Sequence, residues 1–389
     1  MSEIEDPHRE FLRDLRNNPN NLSFWFPKVK HCGFRVPKTV IVPIPDELVG
    51  AFFMEEDTDA DAIRSFVHES VMPALKQIDG LPFIKNGTFS NKFEFGDCCP
   101  HDAEEETIFR SIRDIQYESL CLDTDGACEI VLRERIPSPE NAPRIYGGMP
   151  LNTELRVFYD FTAHKALYVN NYWDEDYCRE SISRSEKDAV EYDRAYDGIL
   201  KKYKEVAGGI LDECEKRLRS VEGLKGIWSV DFLVDSEGAV WLIDMALGHQ
   251  SVYWNPVKAI RCRIGEKANA FIASQGLPVE DVEEEFSMYR KGLENRYELD
   301  FDINFFTAYN RFYQDKFCAS TIELAAAELP ASQEKDKLLR LAEELHKTIE
   351  DADLDTPGGR RKYDYAKLQE RSVNNILMAA SAESFLRKL

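Results

Sequence analysis

Apolar positions along the chain recur with two periods, and the switches between them mark out its elements. Ile63, Phe66, Val67, Val71, Leu75 and Ile78 follow a helical period. Ile108, Ile112 and Ile115 mark one side of a second helix over 104–118. Between these lie shorter runs with extended character. The segment 21–45 reads as an aromatic helix, a turn at Gly33 and a strand Thr39 to Val42, the opening of an α/β unit. Before it, a charged helix over Arg9 to Arg16 ends at the Asn-Asn-Pro-Asn breaker of 17–20. Cys128 to Ile136 is an apolar strand that ends in charge, followed by a Pro- and Gly-rich connector at 138–150.

Two hairpins carry the clearest alternation. From Glu154 to Trp173, turning near Thr162 to Lys165, Leu155, Val157, Tyr159 and Phe161 suit a core, which points Glu154 and Arg156 the other way. From Val230 to Met245 two runs flank the loop Ser236–Ala239. If Leu233 faces Leu242, then Asp235 faces Val240 and Asp231 faces Asp244. Val230, Phe232, Val234, Trp241, Ile243 and Met245 then share one apolar face. Residues 184–220 read as two helices broken at Gly208-Gly209. From about 265 the patterns are helical throughout, with Ser332 as an N-cap, Leu338, Leu341, Leu345 and Ile349 on one stripe, a break at 355–359 and a last helix from Tyr363 to Leu389.

The composition narrows the class. With 389 residues, 43% hydrophobic and 31% charged, the chain is long enough for two or three packed units. A formal charge of −22 argues against a partner bound through nucleic-acid phosphates. Nine cysteines, with no C-x-x-C pair, indicate neither a disulfide framework nor a zinc site and suit reduced thiols in a cytoplasm. The acidic start MSEIEDPHREFLRD is unlike a secretory signal, and no stretch reaches the roughly 18 apolar residues of a membrane span. The expectation is a cytoplasmic protein with no membrane and no nucleic-acid partner.

Candidate chemistry gathers at four places. Asp231 and Asp244, directly opposed, would repel at about 5 Å unless something positive lies between them. Mg²⁺ is the usual solution, and solvation of the strand ends or pairing with an arginine are the alternatives. In the second, LPFIKNGTFSNKFEF, runs Pro82 to Lys85 and Lys92 to Phe95 flank a loop of small and hydroxyl residues that includes Thr88 and Ser90. Such a loop can lay N–H groups and hydroxyls along phosphates with a lysine at each end, or can be an ordinary hairpin loop. It lacks the P-loop pattern. Arg156 suits a phosphate or carboxylate, or a surface pair with Glu154 or Asp160. His249, in the polar and aromatic run 247–254, is a candidate substrate contact or a structural hydrogen-bonder.

In this order the pieces over residues 20–255 resemble the ATP-grasp superfamily. They are the Gly33 to Thr39 segment, the Lys85 to Lys92 loop, a strand ending in Glu134, Glu154-x-Arg156, and the acidic hairpin with Asp231 and Asp244. Within that superfamily the chain looks most similar to the divergent group that includes eukaryotic cell-cycle proteins assisting assembly of a translation initiation factor, with their bacterial and phage relatives. The resemblance implies an α+β fold in which two lobes sandwich ATP: an N-terminal α/β segment at 1–79, a small lobe at 80–137, a large lobe at 138–264 and a helical region at 265–389. It implies Lys85 on the phosphates and Lys92 in the loop above them. It puts Glu134 at the adenine or ribose, Arg156 near the γ-phosphate, and Mg²⁺ on Asp231 and Asp244. ATP would phosphorylate a substrate carboxylate, and an amine or thiol would displace the phosphate. That chemistry needs neutralised charge and alignment rather than a protein nucleophile. Where many members carry asparagine two residues after the last acid, this chain has Ala246, so that ligand is either missing or supplied elsewhere, with Gln250 and Asn255 as candidates. The expectation is an ATP-dependent carboxylate–amine ligase. The alternatives are an ATP-binding assembly factor that docks a protein partner, and a phosphotransferase on the same scaffold.

Overall fold

The computed structural model describes residues 12–254 apart from 14, 54–59, 122–127 and 183, together with 258, 259, 262, 340, 343, 344, 347, 348, 351 and 353. It divides into two compact units, 1–175 with 182–247 and 176–181 with 248–389.

In the first unit, helix α1 (Leu22–Val29) buries Leu22, Trp25, Phe26 and Val29, the i, i+3, i+4, i+7 stripe of its sequence. Strand β1 (Thr39–Pro43) follows. Helix α2 (Ala60–Phe66) continues through a π turn, Val67–Val71, into Met72–Leu75. Met72 N–H donates to the Val67 carbonyl, five residues back, and Pro73 has no N–H to restore the ordinary spacing. All six apolar residues expected on this helical face are buried. After β2 (Pro82–Asn86) and the short α3 (Phe95–Cys98), helix α4 (Glu105–Cys121) buries Ile108, Phe109, Ile112 and Ile115. Strand β3 (Glu129–Glu134) then closes a three-stranded antiparallel sheet, β1-β3-β2.

Strand β3 is wanted on both sides. Ile130 and Leu132 pack with Ile63, Phe66, Ile108 and Ile112, whereas Val131 joins a second core with Trp25, Val157, Val230 and Phe232. The two-residue alternation of a strand turns these side chains to opposite faces, which explains its near-continuous apolar run. β1, from the segment expected to open an α/β unit, is an edge strand of this same antiparallel sheet. Of Lys92 to Phe95, expected to pair as a second strand, Lys92 to Glu94 form a turn and Phe95 opens α3.

A two-residue ribbon, β4 (Arg144–Ile145) with β5 (Met149–Pro150), precedes the second sheet. That sheet comprises β6 (Thr153–Asp160), β7 (Lys165–Asn171), β8 (Ile227–Val234) and β9 (Val240–Leu247), all antiparallel in the order β7-β6-β8-β9. Leu155, Val157, Tyr159 and Phe161 face the core as expected. Between β7 and β8 come α5 (Glu175–Ile182) and α6 (Glu186–Leu218), with Ser185 capping α6 by accepting Asp188 N–H. The break expected at Gly208-Gly209 is absent, and α6 runs unbroken for 33 residues, about 50 Å. Two glycines weaken a helix by about 1 kcal/mol each but do not end it. Here Tyr192, Ala195, Ile199, Ile210, Cys214 and Leu218 are buried along its length and hold both halves in one register.

The β8–β9 hairpin differs from the four-residue loop read from sequence. Gly238 N–H donates to the Asp235 carbonyl and Asp235 N–H to that of Ala239, both at 3.0 Å, so only Ser236, Glu237 and Gly238 form the loop. Gly238 has φ +83, the left-handed conformation that closes such a three-residue turn. Asp235 holds the turn further, its carboxylate accepting the Glu237 and Ala239 N–H groups and the Trp241 indole. The pairs near the turn are therefore Val234–Val240, Leu233–Trp241 and Phe232–Leu242, one residue away from expectation. A β-bulge at Ile243 then takes up one residue, and Asp231 does face Asp244. Leu242 enters the core in place of the expected Trp241 and Ile243, while Met245 is buried there as expected.

In the second unit, Gly248–Gln250 is a short 3-10 turn, and the described residues 340, 343, 344, 347 and 348 are helical. The expected cap Ser332, the stripe at 338–349 and the last helix lie outside the described residues. Among the described residues no helix is long and apolar enough to cross a membrane.

Candidate functional site

The polar face of the four-stranded sheet carries a row of charges. In register, Arg156 on β6 faces Asp231 on β8, which faces Asp244 on β9. Arg156 grips Asp231 with two parallel bonds, Nε to Oδ1 at 2.8 Å and Nη2 to Oδ2 at 2.6 Å. From the other sheet, Lys85 on β2 reaches Asp244 Oδ2 at 2.8 Å, and Asp244 Oδ1 accepts the Met245 N–H. The expectation that the two acids lack a counter-charge from the protein is thus overturned, since each has its own cation. The row Lys85, Asp244, Asp231, Arg156 sums to zero charge. Lys85 is 2% exposed, whereas the Asp244 side chain is 36% exposed, so the row opens to solvent at Asp244.

A second group lies beside it. The hairpin register of Arg156 with Asn170 continues to Glu154 with Tyr172, whose N–H donates to the Glu154 carbonyl at 3.0 Å. Tyr172 takes a hydrogen bond from Lys92 Nζ, and its ring lies 3.8 Å under that ammonium and 5.0 Å from the Arg156 guanidinium. Burial pushes Lys92 down, but Tyr172 and Glu154 together carry it above the ordinary lysine value. Burial also raises the Glu154 carboxyl, against the opposing pull of Lys92. Tyr172 was legible in parity alone, standing two residues beyond the partner of Arg156 on the same face.

The 86–91 loop is turned by its own Asn86, whose amide also donates to Gln116 Oε1 at 3.1 Å, and the Gly87 carbonyl accepts the Leu22 N–H at 3.1 Å. The Asn86 side chain accepts the N–H groups of Thr88 and Phe89 at 3.0 and 2.6 Å, while Asn86 N–H donates to the Phe89 carbonyl. Thr88 and Ser90 are half-buried. The N–H groups of Thr88 and Phe89, read as phosphate donors, therefore already have acceptors in the turn. Glu134 receives the Lys38 backbone N–H on its carboxylate and donates its own N–H to the Lys38 carbonyl. His249 belongs to the 3-10 turn of the second unit, and its side chain is outside the described residues, as is Asn255. Ala246 offers only its carbonyl, which accepts from Ser229 Oγ.

Arg133 of β3 stands in the charged end of the apolar strand read over Cys128 to Ile136. It is 4% exposed. Its Nε donates to Thr39 Oγ1 at 3.1 Å and its Nη1 to the carbonyl of Ile243, the bulge residue. Burial lowers its pKa to about 10, with Asp244 and Glu134 opposing. An arginine at an inward position of an otherwise apolar strand is the signal that could have marked it.

The donor set fits a magnesium ion in kind: two hard carboxylate oxygen groups from adjacent strands, one of them half-exposed. Among the described residues no cluster of three or more His, Cys, Asp or Glu side chains accompanies them, so phosphate and water would complete the coordination.

No protein-family model and no curated protein sequence matches the chain. Solved structures do. C-terminally truncated Cdc123 from Schizosaccharomyces pombe matches at 16% identity and TM-score 0.37, over 62% of this chain and 86% of that one. A RimK domain protein ATP-grasp from Sphaerobacter thermophilus matches at 9% identity and TM-score 0.28, over 58% of this chain and 57% of that one. The biotin carboxylase domain of Hydrogenobacter thermophilus 2-oxoglutarate carboxylase, solved with MgADP and bicarbonate, matches at 14% identity and TM-score 0.29, over 58% and 39%. At these TM-scores they are likenesses only.

Proposed function

We propose that the charge row is a magnesium–ATP site of ATP-grasp type and that the chain is an ATP-dependent ligase joining a carboxylate to an amine. The observation that carries this reading is the convergence of Lys85, Asp244, Asp231 and Arg156 from two sheets at one partly open place. Neither core needs such a row, because removing paired charges from water gains little and often loses stability. Paired with each other, the four groups hold one another in place. Lys85 and Arg156, now on carboxylates, would hold the phosphate oxygens of a bound nucleotide, and Asp231 and Asp244 would hold Mg²⁺. The metal, when bound, neutralises phosphate charge. Lys92, kept protonated by Tyr172 and Glu154, adds a cation beside Arg156. Chemistry of this kind rests on alignment and charge neutralisation, which these residues supply.

The test is titration with ATP in the presence and absence of Mg²⁺. Asp244→Asn should weaken Mg²⁺–ATP binding by about tenfold or more, equivalent to about 1.4 kcal/mol, and metal-free nucleotide binding much less. Equal affinities in mutant and parent would remove Asp244 from the metal site. Phosphate release that requires an added amino acid or peptide supports the ligase. The presence of Ala246, which adds no third side-chain ligand, favours a second reading as an assembly factor that binds ATP with negligible turnover. Tight nucleotide binding with no product across a broad substrate panel selects that reading.

A further inference from the structure

The bulge at Ile243 decides where Asp244 points. With the register set by the three-residue turn, an unbroken ladder would place Ile243 opposite Asp231 and Asp244 opposite Val230, which faces the core. One extra residue between Leu242 and Asp244 keeps both Leu242 and Met245 buried and brings Asp244 to the face of Asp231. A bulge leaves ladder groups that need other partners. Here the other sheet and the Arg35 segment provide them: Leu242 N–H donates to the Arg35 carbonyl at 2.9 Å, and the Ile243 carbonyl accepts from Arg133 Nη1. Arg133 is poorly explained as a stabilising residue. It is buried, and its Nη2 has no hydrogen-bond partner, a costly arrangement for a guanidinium.

The geometry points to Arg133 as a positioning residue: by holding the Ile243 carbonyl it fixes the bulge and so aims Asp244 at Asp231. This deepens the magnesium–ATP reading and depends on it only for its second readout. The first readout is amide hydrogen exchange on the full chain without nucleotide. Arg133→Met, which replaces a buried charge with an apolar side chain of similar length, should speed exchange at 243–245 by about tenfold or more relative to Val157–Tyr159. In a chain with Ile243 deleted, the pairs Phe232–Leu242, Asp231–Asp244 and Val230–Met245 form a regular ladder, so Arg133→Met should change exchange there less than about threefold. The second readout is ATP affinity with and without Mg²⁺, where Arg133→Met should reduce the metal-dependent gain by about tenfold and leave metal-free binding within about threefold. Unchanged exchange at 243–245, a change spread evenly over the sheet, or an equal effect in the deleted chain would overturn the assignment, and should the deleted chain not fold, the single variant decides alone. Faster local exchange at 243–245 in a protein whose parent shows no metal-dependent ATP binding would uphold the clamp and discard the nucleotide site.

Discussion

The loop at 86–91 and the open end of the β8–β9 hairpin are both polar, and both read from sequence as ligand contacts. They satisfy their polar groups over different ranges. Asn86 takes the N–H groups of Thr88 and Phe89, two and three residues away. Asp231 and Asp244 find their cations 75 and 159 residues away, on other strands. A polar group satisfied by its neighbours makes a turn. One satisfied only by distant strands needs the whole fold, and its geometry is available for something besides folding.

Three experiments would break or sharpen that contrast. The largest effect is expected at the distant pair: Arg156→Met leaves Asp231 buried beside Asp244 without its arginine and should cost about 3–5 kcal/mol in denaturant unfolding. Adding Asp231→Leu should recover most of it. A loss below 1 kcal/mol in the single variant would make the row a surface feature. Next is Gly87→Ala, where an added Cβ would lie 2.5 Å from Glu129 Oε1 and 2.9 Å from Asn21 Oδ1. Glu129 is itself tied to the Ser23 N–H, so either the loop or this bonded side chain must shift, with a loss of about 1–3 kcal/mol. An unchanged melting temperature would show the loop to be adaptable.

The smallest is a pH effect beside the loop. Asp97 accepts from Asn91, and burial, with Asp114 and Glu94 nearby, lifts its pKa from 3.8 to about 6. Its protonated form is favoured in the fold. That stability is complete below pH 3.8 and fades as pH rises through about 6. Asp97→Asn should therefore melt higher than the parent above pH 6, with the difference shrinking toward pH 4. A difference that stays constant across this range would mean that Asp97 titrates normally.

Much of the architecture was legible because burial alternates visibly. The helical faces at Ile63–Ile78 and Ile108–Ile115, and the inward set Leu155 to Phe161, are core in the structure. Register was less legible. Gly238 closes a three-residue turn where four were counted, and Ile243 adds a residue that returns the acids to one another. The two offsets cancel at Asp231 and Asp244, so the pairing expected there stands, whereas on β9 the core position falls to Leu242 and not to Trp241 and Ile243. Gly208-Gly209 misled because propensity was weighed without the buried stripe that spans it. Which cation meets which acid was not legible, since no local pattern reports which strand will lie alongside, of the same sheet for Arg156 or of the other sheet for Lys85.

The row from Lys85 to Arg156 also separates two responses to ionic strength. A chain of formal charge −22 repels itself across its surface, and salt relieves that repulsion within a Debye length of about 8–10 Å at 0.1–0.15 M. Arg156 and Asp231, with side chains 11% and 9% exposed, stand largely outside the reach of mobile ions. Added salt should firm the exterior of this molecule while leaving its inner pair untouched, and only the outward carboxylate of Asp244 would feel both environments.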